Sequence, residues 1–318
     1  MEKEDSLIEL KDITKSYRKN LVLDNISLKI SKGSVFGLIG RSGCGKTTLL
    51  NIMIGFIKPN KGTVFFNNKN ILKDMSNVEQ LFGFAAQDLS FYDTLTVKEN
   101  LEYFGRLYYL NKADIDKKVN ELIKLVELDT SRNKLANELS SGMKRRLDIA
   151  CSLIHNPKVL LLDEPTQDLD PLLRREIINL IHKINENGTT VIITTHLLGE
   201  IDHLCDQIAI LNNGKVAKIN SPAELSDDII RNKMITIETA SRKYSSISEK
   251  IKRLSFVDHI IEAENRLIIH TPQPQKTLDR VIKIVKSSKD QLSFVQLSKP
   301  SLDDVFESII MESKNELK

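Results

Sequence analysis

Residues Ser34–Thr48 read SVFGLIGRSGCGKTT, an apolar run that breaks into a glycine-rich turn and ends in Lys-Thr-Thr. SVFGLIG does not alternate, so it predicts a strand buried on both faces. KTTLLNIMIGF, with Leu49, Leu50, Met53 and Ile54 on one face, predicts a helix. Between them, GRSGCGKTT (Gly40–Thr48) has the form G-x-x-x-x-G-K-[ST] in the strand–loop–helix setting that this motif requires. Gly40, Gly43 and Gly45 let the backbone wrap a phosphate without Cβ clashes. The N–H groups from Gly43 through Thr48, with Arg41 and Ser42 in the same turn, then face α- and β-phosphates at a helix N-terminus. Lys46 neutralises the β/γ-phosphates, and Thr47 offers a hydroxyl to Mg²⁺. Cys44 reads as a small filler rather than a nucleophile, although a thiol near a helix N-terminus can have a lowered pKa.

Further along, KVLLLDEP and TTVIITTH are apolar on both faces and predict central parallel strands. A helix from about Leu172 to Asn187 joins them in a βαβ unit. Asp163 and Glu164 fall at the carboxyl end of the first strand, where ligands of open α/β sheets gather. Asp163 suits a Mg²⁺ ligand, directly or through water. Glu164, one residue on, points elsewhere and suits a base that polarises water toward a γ-phosphate.

The remaining pattern frames these segments. SLIELKDITKSY and LDNISLKI alternate as antiparallel strands, and GTVFFNN and LFGFAAQ predict two more. Thr96 to Leu128 is helical, with breaks near Asn111 and Lys112. LSSGMKRRLDIA (Leu139–Ala150) predicts a capped helix whose Ser-Ser-Gly start presents N–H groups to an anion but contains no lysine to grip one. QIAILNNGKVAKI is a hairpin closed by Asn-Gly. Around NSPAELSDD the character changes. The rest reads strand–helix–strand–strand–helix–strand, a small ferredoxin-like α+β domain. The expected domains are 1–222 and 223–318.

Composition narrows the function classes. Of 318 residues, 41% are hydrophobic and 28% charged, as in an ordinary globular protein. The 46 basic and 43 acidic residues leave a formal net charge of +3, which excludes a large basic field, so no nucleic acid is expected as partner. Cys44, Cys151 and Cys205 lie far apart without metal-ligand spacing, which points to a reducing compartment. MEKEDSLIELKD has no apolar signal-peptide core. Runs such as VLLL and VIITTHLL are too short to span a bilayer, so any membrane part belongs to another chain.

Five motifs in order resemble the ATP-binding subunit of an ABC transporter. GRSGCGKTT resembles the Walker A loop, FGFAAQ ends in the Q-loop glutamine Gln87, LSSGM stands where the family has its LSGGQ signature, VLLLDE resembles Walker B, and VIITTH ends in the switch histidine His196. The resemblance covers roughly residues 5–220. It implies an α/β fold, a P-loop NTPase of ABC type with a RecA-like core sheet, an antiparallel β subdomain and a helical signature subdomain, plus the ferredoxin-like C-terminal domain. It implies an ATPase that uses ATP and Mg²⁺, with Glu164, His196, Lys46 and Gln87 catalytic and Thr47, Gln87 and Asp163 toward the metal. Tyr17 in ITKSYRKN takes the place of the aromatic that stacks on adenine. His196 orients the attacking water, and Gln87 relays nucleotide state to the helical subdomain.

The resemblance also gives the Ser-Ser-Gly start its anion. Ser140, with the N–H groups near Ser141 and Gly142, contacts the γ-phosphate held by a second ATP-binding subunit, which supplies its own lysine. Separate transmembrane permease subunits complete the transporter, and the chain sits peripherally at the cytoplasmic face of the cell membrane. The aromatic segment Asp88–Leu110 is the expected coupling surface. A non-transport ABC ATPase acting on a macromolecular machine is the alternative.

Several positions depart from the family pattern. Ser141 stands where glycine is usual and adds a side chain in a tight loop. Met143 replaces a frequent glutamine, and SGMKRRL is similar to the drug- and polysaccharide-export branch. Asp168 stands where a small residue is usual, and in a homodimer two such carboxylates repel. KPSLDDVFESI (Lys299–Ile309) resembles the segment that ends many drug-export ATPase subunits.

Overall fold

A computed structural model describes residues 6–73, 78–196, 199, 201, 203–225, 233–263, 265–288 and 290–298. The segment Lys299–Ile309 lies outside the described residues. The chain divides into two compact units, Met1–Ser221 and Pro222–Lys318.

The first unit opens with β1 (Ser6–Tyr17) and β2 (Asn20–Ser31), then β3 (Val35–Ile39) and helix α1 (Lys46–Met53). β4 (Lys61–Phe66), β5 (Lys69–Asn70), α2 (Val78–Leu81) and β6 (Phe82–Ala85) follow. Next come α3 (Val97–Leu107), α4 (Lys112–Leu125) and α5 (Ser141–Leu153). β7 (Val159–Asp163), α6 (Pro171–Glu186) and β8 (Thr190–Thr195) make the βαβ unit, and β9 (Gln207–Asn212) with β10 (Lys215–Asn220) makes the hairpin.

Two sheets result, ordered β2-β1-β4-β5 and β10-β9-β3-β8-β7-β6. Every residue of β3, β7 and β8 is buried, as strands apolar on both faces require. Their parallel registers align Ile39 with Thr195 and Asp163 with Thr194. All three therefore end at one edge, which collects the loop after β3, the acidic pair and His196. The antiparallel sheet shares its core with this one, since Ile8, Leu10, Ile26 and Leu28 cluster with Leu38, Leu49, Leu50 and Leu161.

Local chemistry sets the helix limits. Thr96 and Glu99 form a reciprocal capping box at α3, with Thr96 N–H on Glu99 at 2.8 Å and Glu99 N–H on Thr96 at 3.1 Å. The expected break at Asn111 and Lys112 is a cap: Asn111 accepts from Asp114 N–H at 2.9 Å, and Lys112 begins α4. Asp170 caps α6 ahead of Pro171, which starts the helix one residue before the expected position. LFGFAAQ is strand only from Phe82 to Ala85, so Gln87 lies two residues past the strand. Asn213 and Gly214 both have positive φ, as the Asn-Gly hairpin turn demands.

The second unit runs β11 (Lys233–Thr239), α7 (Ser245–Lys252), β12 (His259–Ala263), β13 (Arg266–Thr271), α8 (Pro274–Ser287) and β14 (Leu292–Ser298). Its sheet order, β12-β13-β11-β14, with every neighbour antiparallel, is the ferredoxin-like arrangement. Ile235, Ile237, Leu267 and Ile269 meet Ile247 and Ile251 of α7 and Val281 and Val285 of α8.

Beyond the end of α5, His155 stacks on Tyr108 with centroids 3.7 Å apart, and its Nε2 bonds the Phe82 carbonyl at 3.1 Å. Its buried Nδ1 has no partner, and burial pushes its pKa down to about 4. Protonation there creates an unpaired N–H in the interior. The unfolded chain binds this proton more readily, so the contribution of His155 to stability is complete above pH 6.5 and is lost as pH falls toward 4. Wild type is expected to lose about 1–2 kcal/mol relative to His155→Phe over that interval, partial exposure reducing the full linkage value. Urea midpoints of the two proteins from pH 7 to pH 4 measure it, and parallel curves contradict it.

Candidate active site

The loop Gly40–Thr48 joins β3 to α1. Gly43 (φ 78°) and Gly45 (φ 109°) need the left-handed region, and Gly45 caps α1 without a side-chain bond. Gly40 is required for a different reason. A Cβ there lies 2.3 Å from Cys44 Sγ and 2.5 Å from the Leu211 carbonyl, so its neighbour is the protein. Arg41, Ser42, Gly43 and Thr47 are exposed, while Cys44 and Thr48 are half-buried. No acidic residue occupies the first turn of α1, which leaves its N–H groups to an anion. Burial raises the Cys44 pKa and outweighs the opposing pull of the Lys46 charge and of the backbone N–H groups at the helix start, so the thiol is a filler.

Five sequence-chosen side chains meet at the strand ends. Thr47 Oγ1 donates to Asp163 Oδ2 at 2.7 Å, and Thr194 Oγ1 donates to Oδ1 at 2.5 Å. Asp163 is 1% exposed. Glu164 turns away, with Oε1 3.1 Å from Lys46 Nζ and Oε2 2.9 Å from His196 Nδ1. Its φ is +50°, an uncommon conformation held by its N–H on Thr194 Oγ1 at 3.0 Å. Lys46 Nζ also donates to the Gly40 carbonyl at 2.8 Å. Lys46 and Glu164 are both buried, whereas His196 is open to solvent.

The other sequence-chosen residues lie around this centre. Gln87 does not join Thr47 and Asp163, since its Nε2 donates to Gln167 Oε1 at 2.9 Å in the loop after β7. Tyr17 ends β1, 45% exposed, with the Lys15 ammonium 5.0 Å from its ring centroid. It pairs with Asn20 at the tip of the β1–β2 hairpin, whose Val22 and Leu23 lie against Gly45. Ser140 caps α5, its Oγ accepting from Met143 N–H at 3.4 Å. Ser141 is the first helical residue and exposed, so its side chain does not crowd a loop as expected; the tight position is Gly142, where a Cβ lies 2.8 Å from Leu173. Asp168 is exposed with φ +60°, a left-handed turn position that Gly, Asn and Asp adopt most easily.

Two residues escaped the sequence reading. Arg145 donates from Nη1 to the Ala86 carbonyl at 2.8 Å and from Nη2 to the Gln87 carbonyl at 2.9 Å. Asp148 pairs with Arg145 at 3.3 Å and accepts from Ser90 N–H at 2.9 Å. Burial raises the Asp148 pKa to about 6, against the pull of Ser90 N–H and Arg145. The signal was an Arg and an Asp three residues apart in one helix, the Arg hidden inside the basic run Lys144–Arg146.

The oxygen donors Thr47 and Asp163 suit Mg²⁺, which takes few protein ligands and keeps its waters. Lys46 and the α1 terminus suit phosphate, and Glu164 and His196 suit activation of a water. The sequence pattern of the family described as ABC transporter matches residues 23–167. The linearmycin resistance ATP-binding protein LnrL of Bacillus subtilis (strain 168) is 29% identical over 302 residues, 94% of this chain and 97% of that protein. ABC transporter A family member 7 of Arabidopsis thaliana is 33% identical over 91% of this chain, and the chain spans 31% of its length. Among solved structures, the ATP-binding cassette MJ0796, a dimer in a post-hydrolysis state bound to ADP and Pi, is 30% identical with TM-score 0.60, covering 68% of this chain and 98% of its own.

Proposed function

Since the chain belongs to the ABC transporter family as an ATP-binding, ATP-hydrolysing subunit, we propose that it couples ATP-driven closure of two such subunits to export through separate transmembrane chains at the cytoplasmic face of the cell membrane. One observation carries this reading. Lys46, Glu164, His196, Thr47 and Asp163 meet at one sheet edge, while Ser140–Gly142 makes no described hydrogen bond to that loop. Each subunit thus holds a complete phosphate grip and a second anion-facing helix start for use elsewhere. Ser140 and its neighbouring N–H groups then engage the γ-phosphate bound by the partner, and Tyr17 stacks on the base.

Lys46 and Glu164 neutralise one another across 3.1 Å. A γ-phosphate competes for Lys46 and releases Glu164 to accept a proton from water, with His196 orienting Glu164 from its other oxygen. Thr47 and Asp163, together with Gln87, would hold Mg²⁺, which would spread the phosphate charge. Linearmycin resistance is in the name of the Bacillus relative, and with SGMKRRL it favours an export system here.

Among the described residues no helix is long and apolar enough to cross a membrane; the proposed transmembrane chains need a docking surface on this subunit. The coupling surface is narrower than the aromatic count of 88–110 suggests. Tyr92, Tyr103, Leu107 and Tyr109 are exposed, with Tyr109 at 91%, whereas Phe91, Phe104 and Tyr108 are half-buried. A Leu107→Asp/Tyr109→Asp variant is expected to keep its fold and solution ATPase, because exposed sites change stability by about 0.5 kcal/mol or less. It is expected to lose copurification with polytopic membrane proteins and its membrane-bound fraction. A wild-type chain that associates with ribosomes or another machine instead, with no membrane fraction, supports the non-transport alternative.

A further inference from the structure

Gln87 is held twice, through its side chain by Gln167 and through its carbonyl by Arg145. The second hold is built like a clasp. One guanidinium takes the successive carbonyls of Ala86 and Gln87, and the carboxylate it pairs with takes Ser90 N–H. Both ends of the segment 86–90 are thereby fixed to a single turn of α5. Arg145 is 7% and Asp148 2% exposed, and two charges persist at that depth only when paired and fully hydrogen-bonded. A planar fork reaches two carbonyls and a carboxylate at fixed angles, which a lysine ammonium does not. The bonds are to backbone, so they follow the segment as a body whatever side chains it carries. Arg145 stands about one helical turn, roughly 6 Å, from Ser141 on the same stiff element. Its neighbour Arg146 points instead to Glu127 and Glu176.

We propose that Arg145 and Asp148 are positioning residues that transmit displacement of Gln87 by nucleotide to the helix start Ser140–Gly142, linking a subunit's own site to the one it completes in its partner. This rests on the reading of Ser140–Gly142 given above. The clasp is a physical connection with two arrangements to report, Gln87 on Gln167 and Gln87 drawn toward nucleotide, and α5 is the element that both sites bias.

The test uses the full chain carrying Glu164→Gln to halt turnover. Arg145→Lys keeps the buried charge and loses the fork. Arg145→Met/Asp148→Leu removes both charges and leaves neither unpaired. Dilute protein is titrated with Mg-ATP to measure monomer affinity, and sedimentation measures ATP-driven dimerisation. Both variants are expected to bind ATP within about threefold of the parent, which also shows that they are folded, and to dimerise at least about tenfold more weakly. With Glu164 restored, kcat falls while KM holds. A merely structural role reduces the folded fraction without changing dimerisation of what remains, and that outcome overturns the proposal. If the parent itself fails to dimerise with ATP, the reading of Ser140–Gly142 fails and the clasp's task with it; if parent and variants dimerise alike, the clasp alone fails.

Discussion

Glu164→Gln is expected to lower steady-state ATP hydrolysis by about 10²- to 10⁴-fold, the range contributed by a positioned general base, without weakening ATP binding. The geometry separates the two effects. Gln has the same shape and keeps a bond to His196, now 2.9 Å from Glu164 Oε2. The backbone N–H on Thr194 holds the residue at positive φ in both proteins. What disappears is the carboxylate that accepts a proton and that also holds Lys46 Nζ at 3.1 Å. Nucleotide therefore no longer competes with an anion for Lys46, and its affinity is expected to stay level or rise by about three- to tenfold, the scale of one partly screened ion pair. Phosphate release at saturating Mg-ATP and an equilibrium ATP titration measure the two quantities. Hydrolysis within threefold of wild type removes Glu164 from the role of base.

This site was readable in advance where one residue type answers one physical need at a fixed spacing. Gly43 and Gly45 require positive φ, Lys46 must begin α1, and Asp163 must end a doubly buried strand; each follows from a local pattern. The ferredoxin-like order of the second unit was also legible, because strand and helix periods alternate cleanly from Lys233 to Ser298. The rest depends on tertiary pairing. Nothing local distinguishes Arg145, buried on the Ala86 and Gln87 carbonyls, from Lys144, which lies 3.8 Å from Asp93 in a partly exposed pair. The Leu211 carbonyl that also demands glycine at position 40 is remote in sequence. Ser141 is not in a tight loop because α5 begins with it, which puts its side chain in solvent. The bond from Gln87 to Gln167 is equally long-range, since Gln167 belongs to a loop in which Asp168 adopts positive φ.

The companion result concerns binding. Lys46→Met is expected to lower ATP affinity by about ten- to a hundredfold, since a hydrogen bond to a charged group contributes about 1.5–3 kcal/mol and each 1.4 kcal/mol is tenfold. Methionine matches much of the lysine stem, so the packing of this 6%-exposed side chain survives. The loss is the ammonium that now bonds the Gly40 carbonyl at 2.8 Å and Glu164 at 3.1 Å. Removing it leaves Glu164 with His196 as its remaining described partner, so the nucleotide-free protein is also expected to melt lower. The penalty stays below that of a fully buried broken pair, about 3–5 kcal/mol, because His196 opens the site to water. The double variant Lys46→Met/Glu164→Gln separates the terms. Without the Glu164 charge no orphaned carboxylate remains, so most of the lost melting temperature returns while ATP affinity stays low. An affinity that recovers along with stability means that Lys46 acts on Glu164 and not on phosphate, and the phosphate-gripping role assigned to the loop Gly40–Thr48 then falls to its backbone N–H groups alone.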